Sequence, residues 1–299
     1  RWSPKMAKLH GAESSFRSLV IGSSGGVKSL YALSERAKTD SEYRNYSFDY
    51  RDSPYLDREE IEKAMSTMDE VAFRQEYQAQ LIDGGNRVYR AFSLEHNILE
   101  DCDHVFKFFK NLDKESRGPV CVGIDFNVGV NACVIGHVIG DTVFIVDEMQ
   151  GAINTEELAA TLFRRYGACH TYPDPTGKAR KTSAPVGVTD LSLLRAAGHR
   201  VFASRVSPSI KDSVNIVNGM CYNAKGVSRL FISRKAKNLI SSLLRTSWDG
   251  SSYNGLVIDK RDGIEHWSDA LRYLIDFVFN RGTATSVSNP NNYSVRTHG

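Results

Sequence analysis

Three aspartates lie at the ends of predicted strands and in the last predicted helix, where carboxylates could act together. Asp125 closes one apolar run, Asp174 follows another, and Asp269 lies in the first turns of a helical pattern. Oxygen ligands of this kind select hard cations, Mg²⁺ or Mn²⁺. Two such ions about 4 Å apart activate a water and stabilise the leaving oxygen at phosphorus. The trio therefore predicts phosphodiester hydrolysis, if the fold brings the three carboxylates together.

The stretch around Asp125 predicts a meander of three antiparallel strands, with glycine-containing turns between them. Its apolar runs are Val120–Phe126, Ala132–Ile139 and Thr142–Val146. Two acids, Asp147 and Glu148, close the third run. If the first and third strands flank each other, their acid ends come close together. Strand alternation lets only one acid of the pair face the site.

Downstream of the meander, helices and strands alternate, which predicts an α/β architecture. An amphipathic helix is predicted over Thr155–Tyr166, and a short strand over Ala168–Tyr172 leads to Asp174. A basic loop follows, so phosphate contacts and metal ligands would share one rim of the sheet. Its candidate DNA-binding residues are Lys178, Arg180 and Lys181.

The last predicted helix runs from about Ile264 to Phe279. On the helical wheel Asp269 falls near His266 and Tyr273, to one side of the apolar stripe, so the wheel permits an acid that faces the site. The alternative is a solvated acid that the helix dipole favours in the first turns. The spacing of residues along the helix is compatible with both alternatives.

The polar tail, 283–299, has no apolar periodicity and is predicted to be disordered.

Composition and charge narrow the class of protein. The chain has 299 residues, 41% of them hydrophobic, which is enough for a large core. No apolar run approaches the roughly 18 residues of a membrane span. The segment 164–245 carries fifteen Lys and Arg against three acids, which is typical of a polyanion-binding surface, with a solvated basic face as the alternative. The five scattered cysteines predict reduced, structural thiols.

Two stretches imitate nucleotide-binding motifs without completing them. Gly22–Ser29 carries valine where a phosphate loop needs its second glycine, close to the phosphate. Val143–Glu148 imitates a Walker B strand, but it lies within the meander and has no Walker A partner. Neither stretch predicts nucleotide binding.

Taken together, these motifs resemble the nuclease domain of tailed-phage terminase large subunits. The resemblance rests on VGIDF with Asp125, the meander, the strand ending at Asp174, and H-x-x-D-A-L-R-Y over His266–Tyr273, which is its most specific part. Upstream, IGSSGG, SPYLD and FRQEYQAQLIDGG look like the end of the terminase ATPase domain. Read in this way, Gly22–Ser29 is a strand and loop that follow Walker B. The resemblance covers about 16–280.

The resemblance implies a ribonuclease H-like nuclease domain over 87–282, with a mixed sheet that contains the meander and is flanked by helices. A smaller helical and α/β remnant of the ATPase domain, with its linker, would occupy 1–86. No Walker A or Walker B motif precedes residue 16, so ATPase activity is not expected from this chain alone. Because the chain starts at Arg1, we expect a further N-terminal portion to precede it.

The resemblance also implies an activity, namely a Mg²⁺- or Mn²⁺-dependent endonuclease that cuts concatemeric double-stranded viral DNA during genome packaging. Asp125, Asp174 and Asp269 would bind two divalent ions. Glu148 is the candidate for a fourth, weaker ligand, with Asp147 as the alternative. A portal protein and a small terminase subunit would be partners in the host cytoplasm, with no membrane involved.

Three other classes of protein compete with this interpretation. A transposase, integrase or Holliday-junction nuclease shares the architecture and would prefer branched or end-specific DNA. A non-catalytic DNA-binding scaffold would bind DNA without cleaving it. An ATPase module would bind nucleotide as an isolated chain.

Overall fold

The computed structural model describes residues 33–80, 82, 85–99, 118–126, 131–150, 154–178, 188–249 and 257–280. The strands in these ranges are β1 (Ile98–Leu99), β2 (Cys121–Asp125), β3 (Ala132–Ile139), β4 (Thr142–Gln150), β5 (His170–Pro173), β6 (Arg200–Val201) and β7 (Leu230–Ser233). The helices are α1 (Arg58–Thr67), α2 (Glu70–Glu76), α3 (Leu94–Asn97), α4 (Thr155–Tyr166), α5 (Asp190–Ala196), α6 (Ile210–Cys221), α7 (Lys237–Arg245) and α8 (His266–Phe279).

The strands form one mixed sheet in the order β1-β7-β4-β3-β2-β5-β6. β2, β3 and β4 are the predicted antiparallel meander, and the other neighbouring pairs are parallel. The α/β, ribonuclease H-like fold class predicted from the sequence is confirmed. β4 reaches Gln150, beyond the predicted end at Val146. Since β3 lies between β2 and β4, the first and third strands of the meander do not flank each other.

Both faces of the sheet are covered, which explains why β2 is buried along its whole length. Val122 and Ile124 lie in the hydrophobic cluster with α4 and α5. The alternate residue Cys121 lies in the larger cluster, which includes residues of α6, α7 and α8. Because side chains alternate along a strand, Gly123 and Asp125 share the face of Cys121. Asp125 is therefore directed towards the layer of helices that contains α8.

The final helix crosses β2 at very short range. A Cβ atom added to Gly123 would lie 2.2 Å from the carbonyl oxygen of Ala270. A glycine in a strand interior marks such a close backbone approach. The helix starts at His266, two residues later than the sequence predicted, and ends at Phe279 as predicted. This crossing lies two residues before Asp125 on the strand and one residue after Asp269 on the helix.

The segment before the sheet is helical, and carboxylates cap its helices. Asp57 accepts a hydrogen bond from the backbone N–H of Glu59, and Asp69 accepts from Val71 and Ala72. α1 packs against α6, where a Cβ on Gly219 would lie 1.9 Å from the Thr67 carbonyl oxygen.

The proposed ATPase remnant over 1–86 and the boundary at 86/87 stay predictions. The stretch 22–29 and the tail 283–299 lie outside the described residues.

None of the helices in the described ranges has the length and apolar character needed to cross a membrane.

Four of the cysteines, Cys121, Cys133, Cys169 and Cys221, are buried and free, and burial raises the pKa of each thiol. These four thiols are therefore structural, as the sequence predicted, and Cys102 lies outside the described residues.

The close crossing predicts that Gly123→Ala destabilises the protein, although alanine is otherwise tolerated in strands. Its Cβ has to displace the Ala270 carbonyl, which it would approach to 2.2 Å, and overpacking of this kind costs about 1–3 kcal/mol. Urea unfolding measures the loss. The matched control is Gly140→Asn, because Gly140 has open space around it and a φ of +59°, which asparagine tolerates. Equal stability of the two variants would contradict the close crossing.

Candidate active site

Asp125 and Asp174 lie side by side at the carboxyl ends of two neighbouring parallel strands. β2 pairs with β5 up to Ile124 and Pro173. The next backbone N–H, that of Asp174, donates to the Ile124 carbonyl oxygen at 2.8 Å. Both aspartates are buried, with 5% and 8% of their surface exposed. Carboxyl ends of parallel strands meet at one edge of a sheet, where ligands bind in α/β proteins.

A tight turn after β5 fixes the side chain of Asp174. Thr176 donates its backbone N–H to one carboxylate oxygen at 2.9 Å and its hydroxyl to the other at 2.5 Å. The turn also packs against the residue after Asp125, because a Cβ on Gly177 would lie 2.6 Å from the Phe126 ring. Each carboxylate oxygen has a second lone pair. Asp174 is thus oriented without losing its capacity to bind a cation.

Asp269 reaches the same region from the first turns of α8. Its surface is only 2% exposed, so the alternative of a solvated acid is wrong. Arg272, one turn further on, donates to Oδ1 at 3.0 Å, and the Nζ of Lys260 lies 3.5 Å from Oδ2. Burying a carboxylate is costly unless it is paired. These two cations allow Asp269 to remain in the interior.

The pKa values of Asp125 and Tyr273 both depend on the charges of nearby aspartates. Burial raises the pKa of Asp125, the hydrogen bond from His266 opposes this, and the charges of Asp269 and Asp174 raise it further. Burial also raises the pKa of the Tyr273 phenol, and the charges of Asp174, Asp125 and Asp269 all add to that shift. Asp125 and Asp174 lie at adjacent strand ends, and Asp269 lies one residue from the point where α8 crosses β2. The three predicted aspartates therefore lie in one region of the fold.

His266 is the residue that holds Asp125. Its Nδ1 lies 3.0 Å from Oδ2 of Asp125, and this hydrogen bond is the main cause of the raised pKa of His266. Since an ionised carboxylate can only accept, Nδ1 carries the proton. The sequence motif contains His266, Arg272 and Tyr273, but their individual roles were not predicted. The adjacent Glu265 gave no signal beyond its position next to the motif.

The acid pair at the end of the meander is divided between the two faces of the sheet. Glu148 pairs across β3 with Val134, which pairs with Gly123, so Glu148 lies on the face of Asp125. Both its oxygens accept backbone N–H groups at the start of α7, from Asn238 and Leu239, each at 2.8 Å.

Asp147 points to the opposite face, where its Oδ2 accepts from the Tyr166 hydroxyl at 2.6 Å. Among the described contacts, neither Asp147 nor Glu148 touches Asp125, Asp174 or Asp269. The fourth-ligand role of Glu148 stays a prediction, as does the alternative role of Asp147.

The predicted basic loop is described only at its start. Lys178 ends the 3-10 turn Pro175–Lys178 that follows Asp174. Arg180 and Lys181 lie outside the described residues. Their role in DNA binding stays a prediction from the sequence.

The described side chains do not form a preformed metal-binding site. Within the described ranges, no three His, Cys, Asp or Glu side chains are arranged to hold a metal ion. Instead, protein donors hold the three aspartates, as described above. The donor set still fits a hard cation, because the buried ligands are carboxylate oxygens and because burial, together with the charges of Asp269 and Asp174, raises the pKa of Asp125.

Comparison with known proteins gives no matching family model. The chain is 25% identical over 237 residues to the terminase large subunit of Escherichia phage T5, a match that covers 76% of this chain and 50% of the relative. The chain is similar to terminase large subunits. The resemblance predicted from the sequence is confirmed. The chain spans about half the length of this curated relative.

Solved structures of large terminases share the fold. The large terminase of a thermophilic bacteriophage, in complex with ATP-gamma-S, aligns with a TM-score of 0.57 and 13% identity, over 80% of this chain and 57% of that chain. Another crystal structure of the same phage protein aligns with a TM-score of 0.55 and 13% identity, over 83% of this chain and 59% of that chain. At this identity the likeness concerns the fold.

The electrostatics of the site predict opposite effects for two aspartate-to-asparagine substitutions. The folded pKa of Asp125 is raised, so the stability that this group contributes is present below its unfolded pKa and is lost as the pH rises through the folded pKa. Asp125→Asn cannot ionise and should unfold with a higher free energy than the wild type at pH 7. The difference should vanish as the pH approaches about 4, the ordinary pKa of an aspartate.

Asp269→Asn is the contrasting variant. It leaves the buried guanidinium of Arg272 without its anionic partner, and breaking a buried pair in this way costs about 3–5 kcal/mol. Urea unfolding of both variants between about pH 4 and pH 8 measures the two effects. Destabilisation of Asp125→Asn at pH 7 would show that the hydrogen bond from His266 outweighs burial and charge repulsion at Asp125.

Proposed function

We propose that this chain carries a metal-dependent endonuclease that cuts double-stranded DNA during viral genome packaging. The observation that supports this most is the placement of three buried aspartates in one region, at the adjacent ends of β2 and β5 and at the start of α8, where it crosses β2. Buried carboxylates that repel one another need a positive charge nearby. A hard divalent cation supplies that charge, and phosphate oxygens can join its ligands.

Asp125, Asp174 and Asp269 are the proposed ligands of Mg²⁺ or Mn²⁺, with two ions expected from the resemblance. When bound, such ions supply an activated water and neutralise charge on the phosphate. The protein contributes the orientation of the ligands. His266 holds Asp125, Thr176 holds Asp174, and Arg272 holds Asp269. Partners of this kind fix ligand geometry and tune metal affinity.

DNA binding is assigned to the basic segment 164–245. Lys178 ends the 3-10 turn that follows Asp174, and Arg180 and Lys181 lie two and three residues further along the sequence. Contacts to phosphate would orient the duplex without reading its sequence. The similarity to a protein named terminase large subunit supports viral DNA as the substrate. Contacts with a portal protein and a small subunit, and a location in the host cytoplasm, belong to the same proposal.

The activity is tested with a supercoiled plasmid and linear duplex DNA in the presence of Mg²⁺ or Mn²⁺. We expect cleavage of both, and a loss of more than about 100-fold in Asp125→Asn, because even outer partners of metal ligands contribute about 10–100-fold. The matched control is Asp212→Asn, an exposed residue on α6, which should cleave like the wild type. Circular dichroism should show that both variants are folded.

The other outcomes separate the competing classes. Preference for a four-way junction over linear duplex would favour a junction nuclease or transposase. Binding without cleavage, with every metal and at every salt concentration, would favour a scaffold. Equal cleavage by the wild type and Asp125→Asn would contradict the proposed site.

The basic loop predicts a change in the salt dependence of DNA binding. In the Asp125→Asn background with EDTA, Arg180→Ala/Lys181→Ala should weaken duplex binding and reduce the slope of log K against log salt by about 2, since each phosphate contact contributes about 0.9. The control is Arg58→Ala/Lys63→Ala, on exposed positions of α1 outside the basic segment 164–245. An unchanged slope in the loop variant would exclude phosphate contacts by this loop.

A further inference from the structure

Glu265, which immediately precedes α8, is a buried carboxylate with an unsatisfied oxygen. Its side chain is 1% exposed, and its Oε2 has no hydrogen-bond donor within the part of the chain that the structure describes. A buried charged group without a partner is unfavourable. Such a group needs an explanation, and a bound ion is one of the few that chemistry offers.

The other buried acids of the described ranges are satisfied by protein donors. Asp69 accepts two backbone N–H groups and pairs with Arg90. Asp190 accepts the Thr155 hydroxyl at 2.6 Å. Among the buried acids that the structure describes, Glu265 alone has a fully buried oxygen without a partner. Its environment therefore differs from that of a structural carboxylate in the same molecule.

The position of Glu265 associates it with the three aspartates. Its Oε1 lies 3.9 Å from Nδ1 of His266, the same nitrogen that lies 3.0 Å from Oδ2 of Asp125. The Asp269 backbone N–H donates to the Glu265 carbonyl oxygen at 2.8 Å, so residues 265 and 269 lie one turn apart. Residues with this spacing share a helix face. Glu265 therefore lies next to His266, the hydrogen-bond partner of Asp125, and on the same face of the helix as Asp269.

The permanent cations described near Glu265 pair with another carboxylate. Arg272 and Lys260 both contact Asp269, and among the described contacts neither reaches Glu265. A divalent ion would give the unpartnered Glu265 oxygen a positively charged partner.

We infer that Glu265 is a further ligand of the divalent cation site, contributing a buried carboxylate whose Oε1 lies near His266 and whose Oε2 has no partner within the described ranges. This inference rests on the proposed function, because it assigns an additional residue to the same metal site. It does not require Glu148 to bind metal. Glu148 and Glu265 differ in that protein N–H groups satisfy both oxygens of Glu148.

Metal binding by the DNA-free protein tests the inference, with Mn²⁺ as the probe. Isothermal titration calorimetry gives affinity and stoichiometry, and the Mn²⁺-dependent rise in melting temperature gives a second readout. Glu265→Gln should bind Mn²⁺ at least about tenfold more weakly than the wild type and show a smaller rise in melting temperature. Its metal-free melting temperature should be equal to or above that of the wild type, because a buried unpaired charge is removed.

The matched control is Glu156→Gln, on an exposed position of α4, which should behave like the wild type in both measurements. A lower metal-free melting temperature with wild-type Mn²⁺ affinity in Glu265→Gln would show a structural role and overturn the inference. If Glu265→Gln fails to fold, Glu265→Asp keeps the charge but shortens the reach. This variant should also bind Mn²⁺ more weakly, and wild-type affinity would again overturn the inference. If the wild type itself binds no Mn²⁺, the proposed function fails together with the inference.

Discussion

The site depends on the close crossing of α8 over β2. At Gly123 the helix backbone approaches the strand more closely than any side chain would permit, and this contact lies next to Asp269 on one element and near Asp125 on the other. The crossing thereby fixes where Asp269 on α8 lies relative to Asp125 on β2. A wider separation would leave Asp269 beside its cations but away from Asp125. The relative placement of three carboxylates that are far apart in the sequence thus depends on Gly123, which has no side chain.

The second constraint is the cost of burying negative charge. Asp269 and Asp174 have strong protein partners, whereas burial and the charges of both neighbours raise the pKa of Asp125 against the effect of its hydrogen bond from His266. Such unequal environments among neighbouring acids are common at functional sites. The start of α8 contributes as well, since a helix N-terminus favours nearby negative charge. The protein therefore stabilises most of the charge itself and leaves a remainder that a cation can neutralise.

The sequence predicted the meander, the bounds of α4 and the start of the final helix within two residues, because hydrophobic periodicity and turn residues are local signals. It also selected Asp125, Asp174 and Asp269, which the fold buries in one region, and their role as metal ligands stays a prediction. It could not decide whether Asp269 is buried, because the helical wheel does not show which element covers each face. The partners of Glu148 and Asp147 lie on α7 and α4, and no spacing within the meander predicts such contacts. Glu265 was missed for the same reason, since its unpaired oxygen is visible only in three dimensions.

Glu148 can influence the site without touching it. Its carboxylate accepts the first N–H groups of α7, a helix that has no side-chain cap of its own. Ser242 of α7 in turn accepts the backbone N–H of Ser268 at 3.1 Å, and Ser268 precedes Asp269 in the first turn of α8. Orphan N–H groups at the starts of two helices are thus satisfied from neighbouring elements. Because Glu148 positions α7 and α7 supports the start of α8, an effect of Glu148 on activity would not by itself identify it as a metal ligand.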